Sequence, residues 1–458
     1  MTLHLRTLLP VLFVLWSLPS MAAPDDEFDR YVQTQILRQH IPGVAVGIVR
    51  GDRVVKMRGY GFANVELGVP ASADTVFEIG SVTKSFTAMA VMLLRERQRL
   101  SLDDRLDRFL ADIPDAWKPV TLQQLLSHTA GVPDYEEVMG YDSYRNIMTP
   151  AQVFALVAAK PLDFSPGTEW RYSNTGYYLL TLVIEKVSGE TYARFVTRNI
   201  LVPAGMKHTR ASDPGVVIPR RAAGYEYRDG VRNRDPIQPS ATGGAGMLVS
   251  TVGDMVRWAS VIGKRGILKP ESYALMLADN RLANGSRSGY GFGWFVSPMR
   301  GHRALAHSGG TAGFSCNLFY LPDDDVTVVV LTNSGNANPV SLTDHFARVI
   351  VPELRYTTIA DPHPEVGRRL LDYYAHRTDA EPHVSAFTPE FGKQVAEYWT
   401  AGLDYYRAIG APVGVELVER LPEEERVRYR VRYRDVARLV LLKLDASGRI
   451  AEASGSEE

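Results

Sequence analysis

Phe77-Glu78-Ile79-Gly80-Ser81-Val82-Thr83-Lys84 runs from an extended segment through a glycine hinge into a helix start. Helix formers follow, and their spacing predicts a helix over 86–98. In a helix that opens at Ser81, residues three apart share a face, so the Lys84 amine meets the Ser81 hydroxyl. A helix N-terminus also presents free backbone N–H groups, which suit a developing oxyanion. A serine hydroxyl is a weak nucleophile near neutral pH and needs a base. Lysine serves as that base only where desolvation or a neighbouring cation lowers its pKa.

Two further stretches stand downstream in a fixed order. Tyr172-Ser173-Asn174 follows the turn Pro166-Gly167-Thr168-Glu169-Trp170. A tyrosine beside a lysine ammonium is drawn toward phenolate and can shuttle a proton. Asn174 offers an amide donor and an acceptor to a substrate amide. His307-Ser308-Gly309-Gly310 comes at the end of a predicted strand, where glycines permit close backbone approach and a strand edge can pair with an extended substrate.

Together the three stretches resemble the S-x-x-K, Y-x-N and [KH]-[ST]-G pattern of the penicillin-recognising serine hydrolases. That group includes class C β-lactamases, D-alanyl-D-alanine carboxypeptidases, D-aminopeptidases and related esterases. Leu125-Leu126-Ser127-His128-Thr129-Ala130-Gly131, the loop Gly243-Gly244-Ala245-Gly246 and the segment from His307 to Asn333 are similar as well, so the resemblance covers about 40 to 345. It implies that Ser81 is acylated and that Lys84 and Tyr172 handle its proton. It further implies that Asn174, His307, Ser308 and Gly309 bind substrate, and that the N–H groups of Ser81 and Gly310 form an oxyanion hole. The implied reaction is acyl transfer to water on a D-amino-acid peptide or a small amide or ester. A broad carboxylesterase and a silent peptidoglycan-binding or sensor relative are the alternatives. His307 stands where the β-lactamases usually carry lysine, so weak or absent β-lactamase activity is expected. His128 is read as structural.

The rest of the chain fits an α/β (α+β) architecture of the β-lactamase-like kind: an antiparallel sheet flanked by helices, plus a helical subdomain. A helix is expected over 25–39, then a hairpin of 44–49 and 54–57 turning at Arg50-Gly51-Asp52. Helical segments are expected at 121–126, 150–159 and 176–187, and Thr251 with Asp254 reads as a capping pair. Strands resume at 291–295, 303–307, 314–321 and 326–331, the last apolar throughout as for a strand buried on both faces. Asp361-Pro362-His363-Pro364 marks a linker over 356–365, which separates a domain over 24–355 from a small α+β domain over 366–458. That small domain shows helical patterns at 365–376 and 389–409 and strand signals at 413–418, 427–434 and 439–444. In the second strand Arg428, Arg430, Arg432 and Arg434 share one face, read as solvated rather than as an anion contact.

Residues 1–22 read as a signal peptide: His4 and Arg6 precede an apolar stretch over 8–18, and small residues lead to a cut after Ala22. Export to periplasm or medium follows, with no membrane-spanning segment in the mature chain. A formal net charge of -1 gives no general attraction to nucleic acid or anionic lipid, so the expected partner is a small-molecule or peptide substrate. The single cysteine, Cys316, excludes an intrachain disulfide and is expected as an inert core thiol. The ten histidines show no H-E-x-x-H or similar spacing, so neither metal nor other cofactor is expected.

Overall fold

The computed structural model describes residues 26–140, 144–264, 266–400, 402–422, 425–434 and 436–458. The signal segment expected over 1–22 lies outside them. No helix of the described residues is long and apolar enough to cross a membrane.

The chain begins with helix α1 (Glu27–Gln39), capped reciprocally by Asp26 and Asp29. The expected hairpin follows as β1 (Gly43–Arg50) and β2 (Arg53–Asn64), paired antiparallel across the turn at Gly51. After a short edge strand at Val69–Pro70 the sequence leaves the sheet, and it returns through Phe295–Val296 to β3 (Leu305–Thr311), β4 (Phe314–Leu321) and β5 (Val326–Thr332). β5 pairs with β1 from Val44 opposite Thr332 to Arg50 opposite Val326. The two ends of this region thereby close one seven-stranded antiparallel sheet, in the order Val69–Pro70, β2, β1, β5, β4, β3, Phe295–Val296.

The central place of β5 explains its apolar run, since all seven residues are buried. Val326, Val328 and Val330 meet α1 residue Val32 and Phe346 of a helix over Pro339–Ile350 on one face. Val329 and Leu331 face the other core, shared with α2 (Thr83–Glu96), α3 (Asn174–Ser188) and α4 (Val252–Lys264). Within that core the Phe86 and Trp258 rings stack at 4.0 Å. Cys316 is buried there, and its Sγ lies 3.2 Å from the Ile79 carbonyl oxygen.

Three local expectations are corrected. The strand expected at 291–295 is present only as Phe295–Val296. Gly293 adopts φ +74°, and a side chain there would meet the backbone of Lys84, so this stretch folds tightly onto α2 instead of extending. The Thr251 hydroxyl does cap α4 through the Asp254 N–H, but the Asp254 carboxylate accepts from the His208 N–H and the Thr209 hydroxyl rather than completing a capping box. The helical pattern over 389–409 is two helices, Pro389–Glu397 and Leu403–Ile409, the second starting after Gly402 at φ +73°.

The C-terminal part carries its own four-stranded antiparallel sheet, β6 (Gly414–Leu421), β7 (Arg426–Arg432), β8 (Ala437–Leu444) and β9 (Ile450–Glu457), in chain order. Its core gathers Val366, Leu370, Phe387, Leu417, Tyr429 and Leu442. β9 escaped the sequence reading because it is an edge strand of small and polar residues with mostly exposed side chains. The arginine face of β7 is not bare to solvent. Arg428 pairs with Glu419, Arg430 with Glu416 and Glu458, and Arg432 with Glu416. The stretch expected as a linker lies along this sheet, with the Ile359 N–H bonded to the Leu417 carbonyl and the Tyr356 carbonyl to Arg430.

Candidate active site

Ser81 sits in a single turn of 3-10 helix, Gly80–Val82, that runs directly into α2. The turn packs on β3 with no room for side chains: a Cβ on Gly309 would lie 2.0 Å from the Ile79 carbonyl oxygen, and one on Gly80 would lie 2.7–3.0 Å from the Gly310 backbone. Gly80 also has φ +44°. Two glycines therefore let the nucleophile's turn and the H-S-G-G strand touch backbone to backbone, which brings Gly310 beside Ser81. Beneath the turn, buried Glu78 accepts from Arg221 at 3.1 Å and from the Thr311 hydroxyl at 2.8 Å.

Lys84 lies one turn along, with its side chain fully buried. Its Nζ is 3.0 Å from Ser81 Oγ, 2.7 Å from Asn174 Oδ1 and 2.9 Å from the Ala245 carbonyl oxygen. Two of these acceptors are fixed carbonyls with no proton to give. They take two of the amine's hydrogens, so the remaining tetrahedral position faces Ser81: as N–H when the group is an ammonium, as a lone pair when it is neutral. Burial pulls the Lys84 pKa down to about 7, against the opposing pull of Asp134 and Glu136.

Tyr172 lies over this amine, with Nζ 4.7 Å from the ring centroid. Burial raises its pKa well above the ordinary tyrosine value, the neighbouring Ser81 side chain acting in the opposite sense. The expected drift toward phenolate is therefore reversed: the phenol keeps its proton, because the site is too dry for a second charge. His128 positions this tyrosine from behind. Its Nδ1 accepts the Ser173 N–H at 3.1 Å, and its ring lies 4.4 Å from that of Tyr172.

Asn174 is held from both ends. While Oδ1 accepts from Lys84, Nδ2 donates to Asp134 at 3.1 Å and to Glu136 at 2.7 Å. The amide expected to hold substrate thus bridges the lysine and two carboxylates in this conformation. His307 is buried, its Nδ1–H donating to the Ser308 carbonyl at 2.7 Å and its Nε2 accepting from Tyr290 at 2.9 Å. Burial, helped by Lys84, lowers its pKa to about 3. The ring is neutral and occupied, so it offers no cation to a substrate carboxylate. The Ser308 side chain is exposed, and buried Gly309 contributes backbone alone.

The cleft over Ser81 is lined by Glu136, Tyr144, Asn174, Thr242, Gly246 and Gly310 among others. Glu136 accepts from Tyr144 Oη, and Asp134 carries the Asn174 N–H. These acids, with Tyr144 and the Ala245 carbonyl, are the parts sequence reasoning missed. The run Asp134-Tyr135-Glu136-Glu137 reads as an ordinary acidic loop, and only the fold turns two of its carboxylates inward. Away from this cleft, Asp372, His376 and His383 form the single close trio of metal-capable side chains among the described residues, already hydrogen-bonded through Asp372.

Comparison with known proteins places the fold. A family model described as Beta-lactamase matches residues 28–351. The chain is 32% identical over 307 residues to Penicillin-binding protein 4* of Bacillus subtilis (strain 168), across 62% of this chain and 66% of that protein. Its length in that alignment thus falls just short of two thirds of the relative. The fold is similar to that of the octameric penicillin-binding protein homologue from Pyrococcus abyssi, with a TM-score of 0.65 and 24% identity over 94% of this chain and 95% of that one. It is also similar to D-amino acid amidase from Ochrobactrum anthropi SV3, with a TM-score of 0.61 and 24% identity over 72% of this chain and 97% of that one.

Proposed function

The chain belongs to the Beta-lactamase family, and from that premise we propose that it is a serine hydrolase working through an acyl-enzyme on small amides or esters that carry a free amino group, D-amino-acid amides and peptides foremost. The observation that carries the reading is the Lys84 amine, buried, tied by two carbonyls and aimed at Ser81 Oγ at 3.0 Å. In its neutral form this amine takes the serine proton as Oγ bonds to the substrate carbonyl carbon. The N–H groups of Ser81 and Gly310 receive the oxyanion; one such donor is worth about 3 kcal/mol of transition-state stabilisation. Tyr172, protonated, passes a proton to the departing amine or alcohol, and recovers one from Lys84. Water then attacks the acyl-enzyme along the same path in reverse.

The amino-group preference rests on charge. Glu136 lines the cleft beside Ser81, while the neutral His307 supplies no positive charge for a substrate carboxylate. An ammonium next to the scissile bond suits such a wall, and the D-amino acid amidase with the same fold is named for substrates of that kind. The leader expected over 1–22 puts the working location in the periplasm or medium.

Turnover of D-phenylalanine amide, N-acetyl-D-phenylalanine amide and p-nitrophenyl acetate by the purified chain tests this reading, with Ser81→Ala alongside. The free-amine amide is expected to be hydrolysed at least tenfold faster in kcat/KM than its N-acetyl form, and Glu136→Gln narrows that gap. Ser81→Ala abolishes all three activities. Absence of turnover, together with no fluorophosphonate labelling at Ser81, would sink the proposal.

A further inference from the structure

The C-terminal domain carries an open pocket of about 410 Å³ that the chemistry at Ser81 does not use. This is the size of pocket that takes a small organic ligand. Helix Pro364–Ala375 supplies Leu370 and Tyr374, the loop and helix after it supply Phe387 and Phe391, and β8 supplies Val440. These walls are apolar and aromatic. Among the described residues, the charged groups that line the pocket are two arginines, Arg377 and Arg438, with no acid beside them.

The two arginines differ. Arg377 donates to the Trp399 carbonyl at 2.6 Å and lies over the Trp399 and Tyr406 rings. Arg438 rests against the Tyr405 and Tyr406 rings at 5.2 and 5.5 Å; its guanidinium has the Tyr405 hydroxyl as a partner, but its Nε is buried with no acceptor among the described residues. Its cross-strand neighbour Glu457 turns its carboxylate to Gln35, Tyr405 and Arg38 instead. A guanidinium in an aromatic pocket with an orphan N–H is a poor end state, since buried donors are nearly always paired. A carboxylate fits a guanidinium fork with two parallel hydrogen bonds.

We propose that this cavity binds a small carboxylic acid with an apolar tail, its carboxylate seated on Arg438 and its tail among Leu370, Phe387, Phe391 and Val440. The site stands apart from Ser81 and does not depend on the hydrolase reading. Calorimetric titration of the full-length chain with decanoate, and in parallel with the uncharged 1-decanol, tests it. Decanoate is expected to bind saturably at one site, and decanol at least tenfold more weakly. Arg438→Gln weakens decanoate at least tenfold, leaves decanol unchanged and spares Ser81 labelling. Ala453→Trp, an exposed residue of β9 that lines the cavity, blocks both ligands and stands in for Arg438→Gln should that variant not fold. Equal affinity for the two probes, no saturable decanoate binding at millimolar concentration, or unaltered decanoate binding by either variant would overturn the assignment.

Discussion

A buried amine beside a serine hydroxyl is a base only when its lone pair is free. For Lys84 that fraction grows as pH rises through about 7, the value to which burial has lowered it. The expected kcat/KM for p-nitrophenyl acetate, which does not itself titrate here, therefore climbs with pH and levels off above that point. Asp134 opposes the lowering by favouring the ammonium. Asp134→Asn keeps an acceptor for the Asn174 N–H but removes the charge, so the rise moves to lower pH, by about one unit. A profile flat across neutrality in the parent, or unmoved in the variant, would remove Lys84 from the role of base. His307 sets a second expectation. Its pKa near 3 leaves it neutral at any working pH, so acidification to pH 5 does not create a cation for a β-lactam carboxylate. Nitrocefin turnover is expected to stay at least a hundredfold below that of the best amide at both pH 5 and pH 7, and efficient hydrolysis lost in Ser81→Ala would contradict this.

The turn holding Ser81 depends on an absence of side chains more than on any contact it makes. Gly80→Ala places a Cβ at φ +44° within 3 Å of the Gly310 backbone. Left-handed strain of about 1–2 kcal/mol adds to an overpacking cost of about 1–3 kcal/mol. Urea unfolding is expected to show a loss of about 3 kcal/mol, and fluorophosphonate labelling at Ser81 to fall with it. Gly176 in the first turn of α3 makes the contrast: a Cβ there meets ordinary contacts at 3.5 Å or more, so Gly176→Ala is neutral or stabilising by up to about 1 kcal/mol. The elements that carry Ser81, Tyr172 and His307 were legible in the sequence because each combines a periodic run with a glycine or a cap at a fixed offset. The hairpin of β1 and β2 and the buried strand β5 were legible for the same reason. Glu136 and Asp134 were not, since a loop carboxylate looks alike whether it faces water or Asn174. Nor was β9, whose Ala453, Ser454 and Gly455 carry no alternation, or the pairing of the β7 arginines, whose partners come from another strand and from the chain end. Local pattern reveals an element and its buried face; it says nothing of which distant group will neutralise a charge.

At the scale of the molecule, the sheet explains why residues as distant as Ser81, Tyr172 and His307 cluster around the Lys84 amine and one another. β1 pairs with β5, the intervening chain must fold back over one face of that sheet, and α2 runs through the core so formed. Among the described residues the C-terminal domain adds no group to the cleft, yet it is fastened to this body. Gln35 of α1 donates to Glu457 of β9 at 2.6 Å, Arg300 reaches Glu419 at 3.5 Å, and Tyr356 lies between Arg300 and Arg428, at 4.8 and 5.2 Å from its ring centroid. A buried hydrogen bond nets about 1 kcal/mol and the Arg428–Tyr356 cation–π contact, the one of the two that crosses position 358, about 0.5–1 kcal/mol, so the junction contributes about 2 kcal/mol to the first domain. Removing 358–458 is therefore expected to leave a folded chain that still labels at Ser81, with its Tm lower by about 3 °C. The melting curve and the labelling assay separate two outcomes that one of them alone would confuse. An unchanged Tm with full labelling would mean that the contacts at Gln35 and Tyr356 carry no weight. A truncated chain that fails to fold would mean that the two cores, separate as they are in side-chain packing, form a single cooperative unit.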